Sequence, residues 1–445
     1  MTSELILRSA LSMAPVTLAV GAALLRRPAR RELAGVLLAV SWNVWSLLAL
    51  NLLAVHLGWW HFDAALPSFM GVAVEPWLGW AILWGAFVPL ASYDRPLVPV
   101  LVAVFWLDLI AMPLLGPVLK LGSGWLLGEA AAIALALLPS LLFSRWTAKD
   151  SRLRLRAWMQ VVTAGAFLLW LVPAAAITKA GGWRALSDLP AWRFGLAAQI
   201  LIVPIALGLR AVGEFVHAGR GTPIPYDPPK RLVTSGPYSF VRNPMQLSMT
   251  LIFVVGAAAL WNPWLLASAA IAFAYGAGLA TWHEGIDLEG RFGEQWRAYR
   301  EETRNWIPRW RPHVTTEAHL FVAFSCSTCS SVGRWFLARR PVGLRIVPAE
   351  DAQDPGLRRL TYKSSDGDPV RGVAAVARAL EHIHLGWAMT GWVLAMPGVS
   401  HLAQLIADVV GPSPQNVSGP PYEMTACDVV RAPSVEEIGG AVKGL

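Results

Sequence analysis

The sequence predicts an α-helical integral membrane protein of about nine transmembrane helices, followed by a small α/β domain. Three observations carry that expectation. The 445 residues are 55% hydrophobic and only 15% charged, with a mean hydropathy of +0.47, whereas soluble domains carry about 25% charged residues. Several runs reach the roughly 20 apolar residues needed to cross a bilayer. Hydropathy then falls sharply after Pro312, where alternating short strand-like and helix-like patterns begin.

In chain order, the expected spans are 4–25, 34–58, 74–92, 97–118, 126–143, 157–178, 194–216, 246–260 and 264–282. Glu4 stands at the start of the first span and Arg26, Arg27, Arg30 and Arg31 follow it. A cleavable signal has the opposite charge order, so the N-terminus is expected outside and the arginines inside. The other loops agree. Arg95, then Arg145, Lys149, Arg152, Arg154 and Arg156, then Arg220, Lys230, Arg231 and Arg242 fall on the same inner side, while Lys120, Lys179 and Arg184 make up the sparse outer set. This places the C-terminal domain in the cytoplasm; the membrane is expected to be of the bacterial inner (plasma) type. The net charge of +8 is accounted for by these short loops and by anionic lipid heads, and no nucleic-acid partner is expected. The domains divide as 1–150, with five spans; 151–312, with four spans and two polar segments; and 313–445.

The two polar segments are the chemically informative part of the membrane region. One is GRGTPIPYDPPKRLVTSGPYSFVRNP, residues 219–244; the other is HEGIDLEGRFGEQWRAYREETRNWIPRWRP, residues 283–312. An apolar hairpin lies between them. The prolines of PYDPP, residues 225–229, fix an extended, stiff loop. Two arginine-rich segments clamped to one hairpin form a reaction site at a membrane face, suited to a lipid-soluble substrate and a water-soluble cofactor.

The order and spacing of GPYSFVRNPM, a hydrophobic hairpin, E-x-x-x-L-x-x-x-F-G-x-x-W-x-x-Y and IPRW resemble the isoprenylcysteine carboxyl methyltransferase family, which merges with phospholipid-methyltransferase-like membrane proteins. The likeness covers about residues 195–312. It implies an S-adenosylmethionine-dependent methyltransferase with Gly236, Pro237, Tyr238, Arg242, Asn243 and Pro244 on one wall of the cofactor pocket. Glu284, Leu288, Phe292, Gly293 and Tyr299 would form the other, with Arg242 and Glu284 as catalytic residues. The chemistry is compatible. Arg242 suits a carboxylate, Glu284 a cation or a cofactor amine or ribose, and Tyr238 and Trp296 an adenine. Arg242 also reads as a positive-inside anchor, Glu284 as a solvated carboxylate, and Tyr299 and Trp296 as interfacial packing. The family's Glu-Glu pair stands here as Glu284-Gly285, and its Arg-His-Pro as Arg242-Asn243-Pro244.

Within residues 38–92 a tryptophan-rich span, a Phe-Asp turn and Glu75-Pro76 are similar to the small membrane lycopene-cyclase-like family, which implies an isoprenoid-type ligand. Ionisable residues inside spans are functional candidates; Glu75, Asp108 and Glu129 qualify, against interfacial or internally paired placement.

In the C-terminal domain, HLFVAF reads as a strand, Cys326-Ser327-Thr328-Cys329 as the opening of a helix, and Leu344–Pro348 and Leu357–Tyr362 as further strands, with a turn at 364–368. A Cys-x-x-Cys between strand and helix is the thioredoxin-like redox arrangement, in which the helix end lowers the pKa of an exposed first cysteine; inert packing is the other reading. Residues 318–411 resemble the DCC family of thioredoxin-like proteins, although Phe324-Ser325 replaces its usual Asp-Gly. No metal site is expected, because no second cysteine pair exists, and Cys427 reads as a bystander. Residues 386–410 are apolar, yet Pro397-Gly398 divides them, predicting two short helices rather than a tenth span. The expected function is thus membrane methyl transfer to a lipid or lipid-linked substrate, with a fused thiol redox domain and its redox partner. A membrane redox protein on a non-catalytic scaffold, and an isoprenoid-binding or cyclising protein, are the alternatives.

Overall fold

The computed structural model describes residues 2–63, 66–179, 188–222, 229–352, 357, 359–365 and 368–410. The PYDPP loop up to Pro228 and Cys427 lie outside the described residues. The chain divides into two units, one holding the described residues of 1–171 together with Thr222, and the other those of 172–221 and from 229 onward.

The first unit is built from the helices α1 (Thr2–Arg26) and α2 (Arg30–His56), then α3 (Val74–Ser92), α4 (Leu97–Leu114), α5 (Trp125–Ala148) and the start of α6 (Leu153–Lys179). A single turn of π-helix interrupts α3 at Leu83–Phe87, α5 at Ile133–Leu137 and α6 at Phe167–Leu171. Each ends two residues before a proline, Pro89, Pro139 or Pro173. The sequence causes this: proline has no N–H to give and its ring collides with the carbonyl four residues back, so the helix widens locally instead of breaking. The strand β1 (Trp60–Phe62) pairs antiparallel with β4 (Leu119–Leu121), and β2 (Ser68–Phe69) with β3 (Val72–Ala73). Expected span 97–118 stops at Leu114 because Pro113 ends the helix and the chain turns into β4. Leu48, Trp84, Leu137 and Leu141 centre the core. In lipid, apolar helices gain little by leaving solvent, so close packing must hold them. Gly85 shows how close, since a Cβ there would lie 2.5 Å from the Val40 Cα.

The second unit continues with α7 (Ala191–His217), a 3-10 turn at Gly236–Ser239, α8 (Pro244–Leu260), α9 (Pro263–Tyr275) and α10 (Thr281–Glu302), the last kinked at Gly293. Among the described residues, seven helices are long and apolar enough to cross a membrane. The expected eighth and ninth spans form a shorter hairpin. The 17 residues of α8 extend only about 25 Å at 1.5 Å per residue, against a hydrocarbon core of about 30 Å. Pro244 starts α8; Trp261 in a left-handed conformation ends it; and Asn262 caps α9 by accepting from the Trp264 and Leu265 N–H groups.

Beyond Pro312 a four-stranded sheet has the order β6-β5-β7-β8, with β5 at Ala318–Val322, β6 at Leu344–Pro348, β7 at Thr361–Ser364 and β8 at Val370–Arg371. Strands β5 and β6 are parallel, joined through helix α11 (Ser327–Leu337), whereas β7 is antiparallel to both β5 and β8. The third strand starts at Thr361, not Leu357, because Thr361 is the residue that takes the register opposite Phe321. Leu320, Phe336, Leu344 and Ala375 pack the core between the sheet and α12 (Val373–Leu380). The last apolar run is two helices, α13 (Leu385–Leu394) and α14 (Val399–Val410), bent by 88°.

Candidate functional site

The two polar segments meet in the second unit. Gly236 has φ +62°, and a Cβ there would lie 3.2 Å from the Glu214 Cδ; only glycine lets the Gly236-Pro237-Tyr238 turn lie so close to α7. Tyr238 is buried against Phe215, with ring centroids 5.3 Å apart. The Tyr299 hydroxyl of α10 donates to the Tyr238 carbonyl at 2.7 Å, so one residue of each wall joins the two. The Arg242 N–H donates to the Arg304 carbonyl, and the Arg309 and His313 N–H groups to the Phe240 and Ser239 carbonyls, so the two segments pair along their backbones.

Asn243 is more than a turn residue ahead of Pro244. Its Nδ2 donates to Asn305 Oδ1 at 2.7 Å, and Asn305 Nδ2 donates to Thr281 Oγ1 at 3.0 Å. The Thr281 hydroxyl in turn donates to the Gly276 carbonyl at 2.5 Å, serving a carbonyl at the π-turn Gly276–Ala280 that precedes α10.

Arg242 places its guanidinium carbon 5.7 Å from the centre of the Trp296 ring. Burial is the main influence lowering its pKa, with the Arg300 charge adding and Tyr299 opposing; a guanidinium nonetheless stays charged. Its Nε is buried without a hydrogen-bond partner, as is the Trp296 indole Nε1. Two buried donors side by side, one cationic, want an anionic acceptor. Trp296 packs obliquely on Tyr299 at 5.9 Å, so both rings first named for adenine, Tyr238 and Trp296, already have aromatic neighbours. Glu284 lies on α10, its side chain outside the described residues.

Sequence reasoning missed a fully buried carboxylate of this region. Glu214 of α7 is fully buried. It accepts from Ser235 Oγ at 2.5 Å, Arg378 Nη1 at 2.7 Å and Arg210 Nη2 at 2.9 Å. Arg210 also pairs with Glu381 at 2.8 Å, and Arg378 with Glu381 at 3.2 Å. Two arginines and two glutamates thus neutralise one another. Arg210 and Glu214, four apart in a mainly apolar helix, were the available signal. A cavity of about 30 Å³, lined in part by Ser235, Gly236, Glu381 and His382, adjoins this group.

The cysteine pair lies where the strand–helix pattern predicted. Cys326 is the N-cap of α11, and its Sγ accepts the Cys329 N–H at 3.5 Å. Cys326 is half-buried rather than exposed, because the thiol folds back over the helix end to take that bond. Burial alone would raise the Cys326 pKa, yet the Cys329 N–H, the Cys329 thiol and the Thr328 N–H together bring it below the ordinary value. Burial, the Cys326 thiol and charge, and Glu350 push Cys329 up to about 12. Glu350, also missed from sequence, accepts from the Ser325 N–H at 2.8 Å and its hydroxyl at 2.7 Å.

Residues 209–295 match the family model described as phospholipid methyltransferase. Glu214, Gly236–Pro244 and Glu284 fall inside the match; Trp296 and Tyr299 lie just beyond it. No curated protein and no solved structure matches the chain. The match and the apolar helices together support a membrane methyltransferase.

Proposed function

We propose that this protein transfers a methyl group from S-adenosylmethionine to a lipid or lipid-linked acceptor at the cytoplasmic face of a bacterial inner membrane. The observation that carries the reading is the pair of buried, unpartnered donors, Arg242 Nε and Trp296 Nε1, held where the two polar segments join. They fit a carboxylate, which the cofactor has. Bound, the cofactor supplies a methyl group on a positively charged sulfur, ready for in-line displacement.

The residues' work is then positioning and exclusion of water, which can supply a large share of such a barrier. Arg242 and Trp296 hold the carboxylate. The Tyr299 bond to the Tyr238 carbonyl and the Asn243–Asn305–Thr281 chain hold the walls at fixed separation. Glu284 serves the amine or ribose, as the isoprenylcysteine-methyltransferase resemblance implies, and the acceptor's apolar part enters from the bilayer. The lysine and arginine bias of the loops supports the orientation, N-terminus outside and C-terminal domain inside.

Calorimetry of the protein in nanodiscs with S-adenosylmethionine is the test. Binding that falls at least about tenfold, or about 1.4 kcal/mol, in Arg242→Ala supports the reading; no binding by the folded wild type overturns it.

A second activity is favoured by the Cys326 and Cys329 geometry. We read the domain as thioredoxin-like and the pair as a thiol–disulfide couple. The Cys326 thiolate attacks a partner protein's disulfide and releases one partner thiolate. Cys329 then displaces the second, leaving the partner reduced and the pair oxidised.

A further inference from the structure

Glu75, Asp108 and Glu129 belong to apolar helices of the first unit, and they are not equivalent. Glu75 of α3 is paired with Arg8 at 2.7 Å. Asp108 of α4 and Glu129 of α5, each 3% exposed, form no ion pair among the described residues; their side chains hydrogen-bond one another, while Asp108 Oδ2 and Glu129 Oε1 have no further partner. A carboxylate buried without a counter-charge is among the most costly groups a protein can hold.

Glu129 lines a cavity of about 50 Å³ whose walls include Trp60, Phe62, Trp77, Trp80 and Trp84. Three of the indole N–H groups are already committed. Trp60 Nε1 donates to Asn51 Oδ1 at 3.0 Å, Trp77 Nε1 to the Val44 carbonyl at 2.7 Å, and Trp80 Nε1 to Asp108 Oδ1 at 3.3 Å. What these rings retain for a ligand is their π surface. A hard metal ion would want six or more oxygens, which an aromatic wall does not give. Asp108 and Glu129 hydrogen-bond one another, which takes one proton between them, so a neutral apolar ligand would still leave one buried negative charge uncompensated. Aromatic faces around a buried acid are the recognition chemistry of an organic cation.

We infer that this cavity binds a small alkylammonium group, with the tryptophan faces enclosing it and Glu129, backed by Asp108, as its counter-charge. The site belongs to the first unit and does not rest on the methyl-transfer reading.

The test uses the full-length protein in nanodiscs, with tetramethylammonium chloride as probe and tert-butanol, of nearly the same shape but neutral, as its control. Saturation-transfer NMR reads transfer from the protein to the probe's methyl protons. The expected result is strong transfer to tetramethylammonium, weak transfer to tert-butanol, and an affinity about tenfold lower in Glu129→Gln. Equal transfer to both probes in the wild type overturns the inference, whether or not the variant folds. So does unchanged tetramethylammonium affinity in a folded Glu129→Gln. Trp80→Leu, which removes one wall and leaves Glu129, should also weaken the signal.

Discussion

Arg378 Nη1 donates to Glu214 Oε2 at 2.7 Å, joining side chains 164 positions apart. Glu214 belongs to an apolar helix and Arg378 to a helix beyond the sheet, yet both are nearly inaccessible, and Ser235 donates to the other Glu214 oxygen. The Ser235-Gly236 turn therefore depends on an ion-pair group that the C-terminal part of the chain completes.

Arg378→Ala should destabilise the second unit by about 3–5 kcal/mol, the cost of leaving one member of a buried ion pair uncompensated. Denaturation by SDS in mixed micelles would measure it. Glu214→Ala combined with Arg378→Ala should cost less than the two single changes summed, because the pair is coupled. Additive losses would mean that the contact carries no energy of its own.

The legibility of this molecule follows the range of its interactions. The apolar helices were legible because twenty apolar residues in succession announce themselves locally, and so was the Cys326–Cys329 helix opening. The π-turns were implicit in Pro89, Pro139 and Pro173, whose local effect is known. The break at Trp261 and Asn262 was legible too, since the expected spans stop at 260 and resume at 264; the end of the second helix at Tyr275, where a π-turn follows, was not. The Arg210–Glu214–Arg378–Glu381 group was invisible for a different reason. Its members are separated by up to 171 positions, and no local pattern tells a charge that will be buried from one that will be solvated. Arg242, Asn243 and Tyr299 were found through a motif, but Asn305, which holds Asn243, had no signal besides its neighbourhood.

Trp296→Phe keeps the ring and removes the N–H. If that donor serves the cofactor carboxylate, S-adenosylmethionine binding should weaken by about 1.5–3 kcal/mol, the net worth of a hydrogen bond to a charged group, in calorimetry. Arg242→Lys should fall between wild type and Arg242→Ala, since an ammonium keeps the charge but loses the planar fork. Unchanged affinity in Trp296→Phe would remove the indole from the site.

His382 gives the C-terminal region an acid limit. It is buried, with Nε2 facing the Tyr362 hydroxyl at 3.0 Å and Nδ1 the Val342 carbonyl at 2.7 Å. Burial lowers its pKa, outweighing the raising effects of the Val342 carbonyl and the Glu381 charge. The unfolded chain therefore binds the proton more readily, and stability falls with pH once the unfolded value of about 6.5 is passed. The contribution is complete above that value and is lost progressively below it, towards the depressed folded value. Thermal unfolding at pH 7.5 and pH 5.5 should show this drop in wild type and a smaller one in His382→Gln. Equal drops would assign the acid sensitivity elsewhere.

Cys326 and Cys329 should react at very different rates, and the difference should come from position. The Cys326 thiolate is favoured by the N–H groups at the start of α11, where unpaired donors and the helix dipole stabilise negative charge. Cys329, pushed up to about 12, stays protonated at neutral pH. Alkylation by iodoacetamide at pH 7, followed peptide by peptide with mass spectrometry, should modify Cys326 well before Cys329. Glu350→Gln removes a negative charge that raises the Cys329 pKa, so Cys329 should become more reactive at alkaline pH while Cys326 keeps its lead. The rate at Cys326 should rise with pH to a plateau below that of an ordinary thiol near 8.5, because only the thiolate attacks. If both cysteines titrate alike, or if mild oxidation joins neither to the other, the pair is a packing element and the thiol–disulfide reading falls, while the methyl-transfer proposal is untouched by that result.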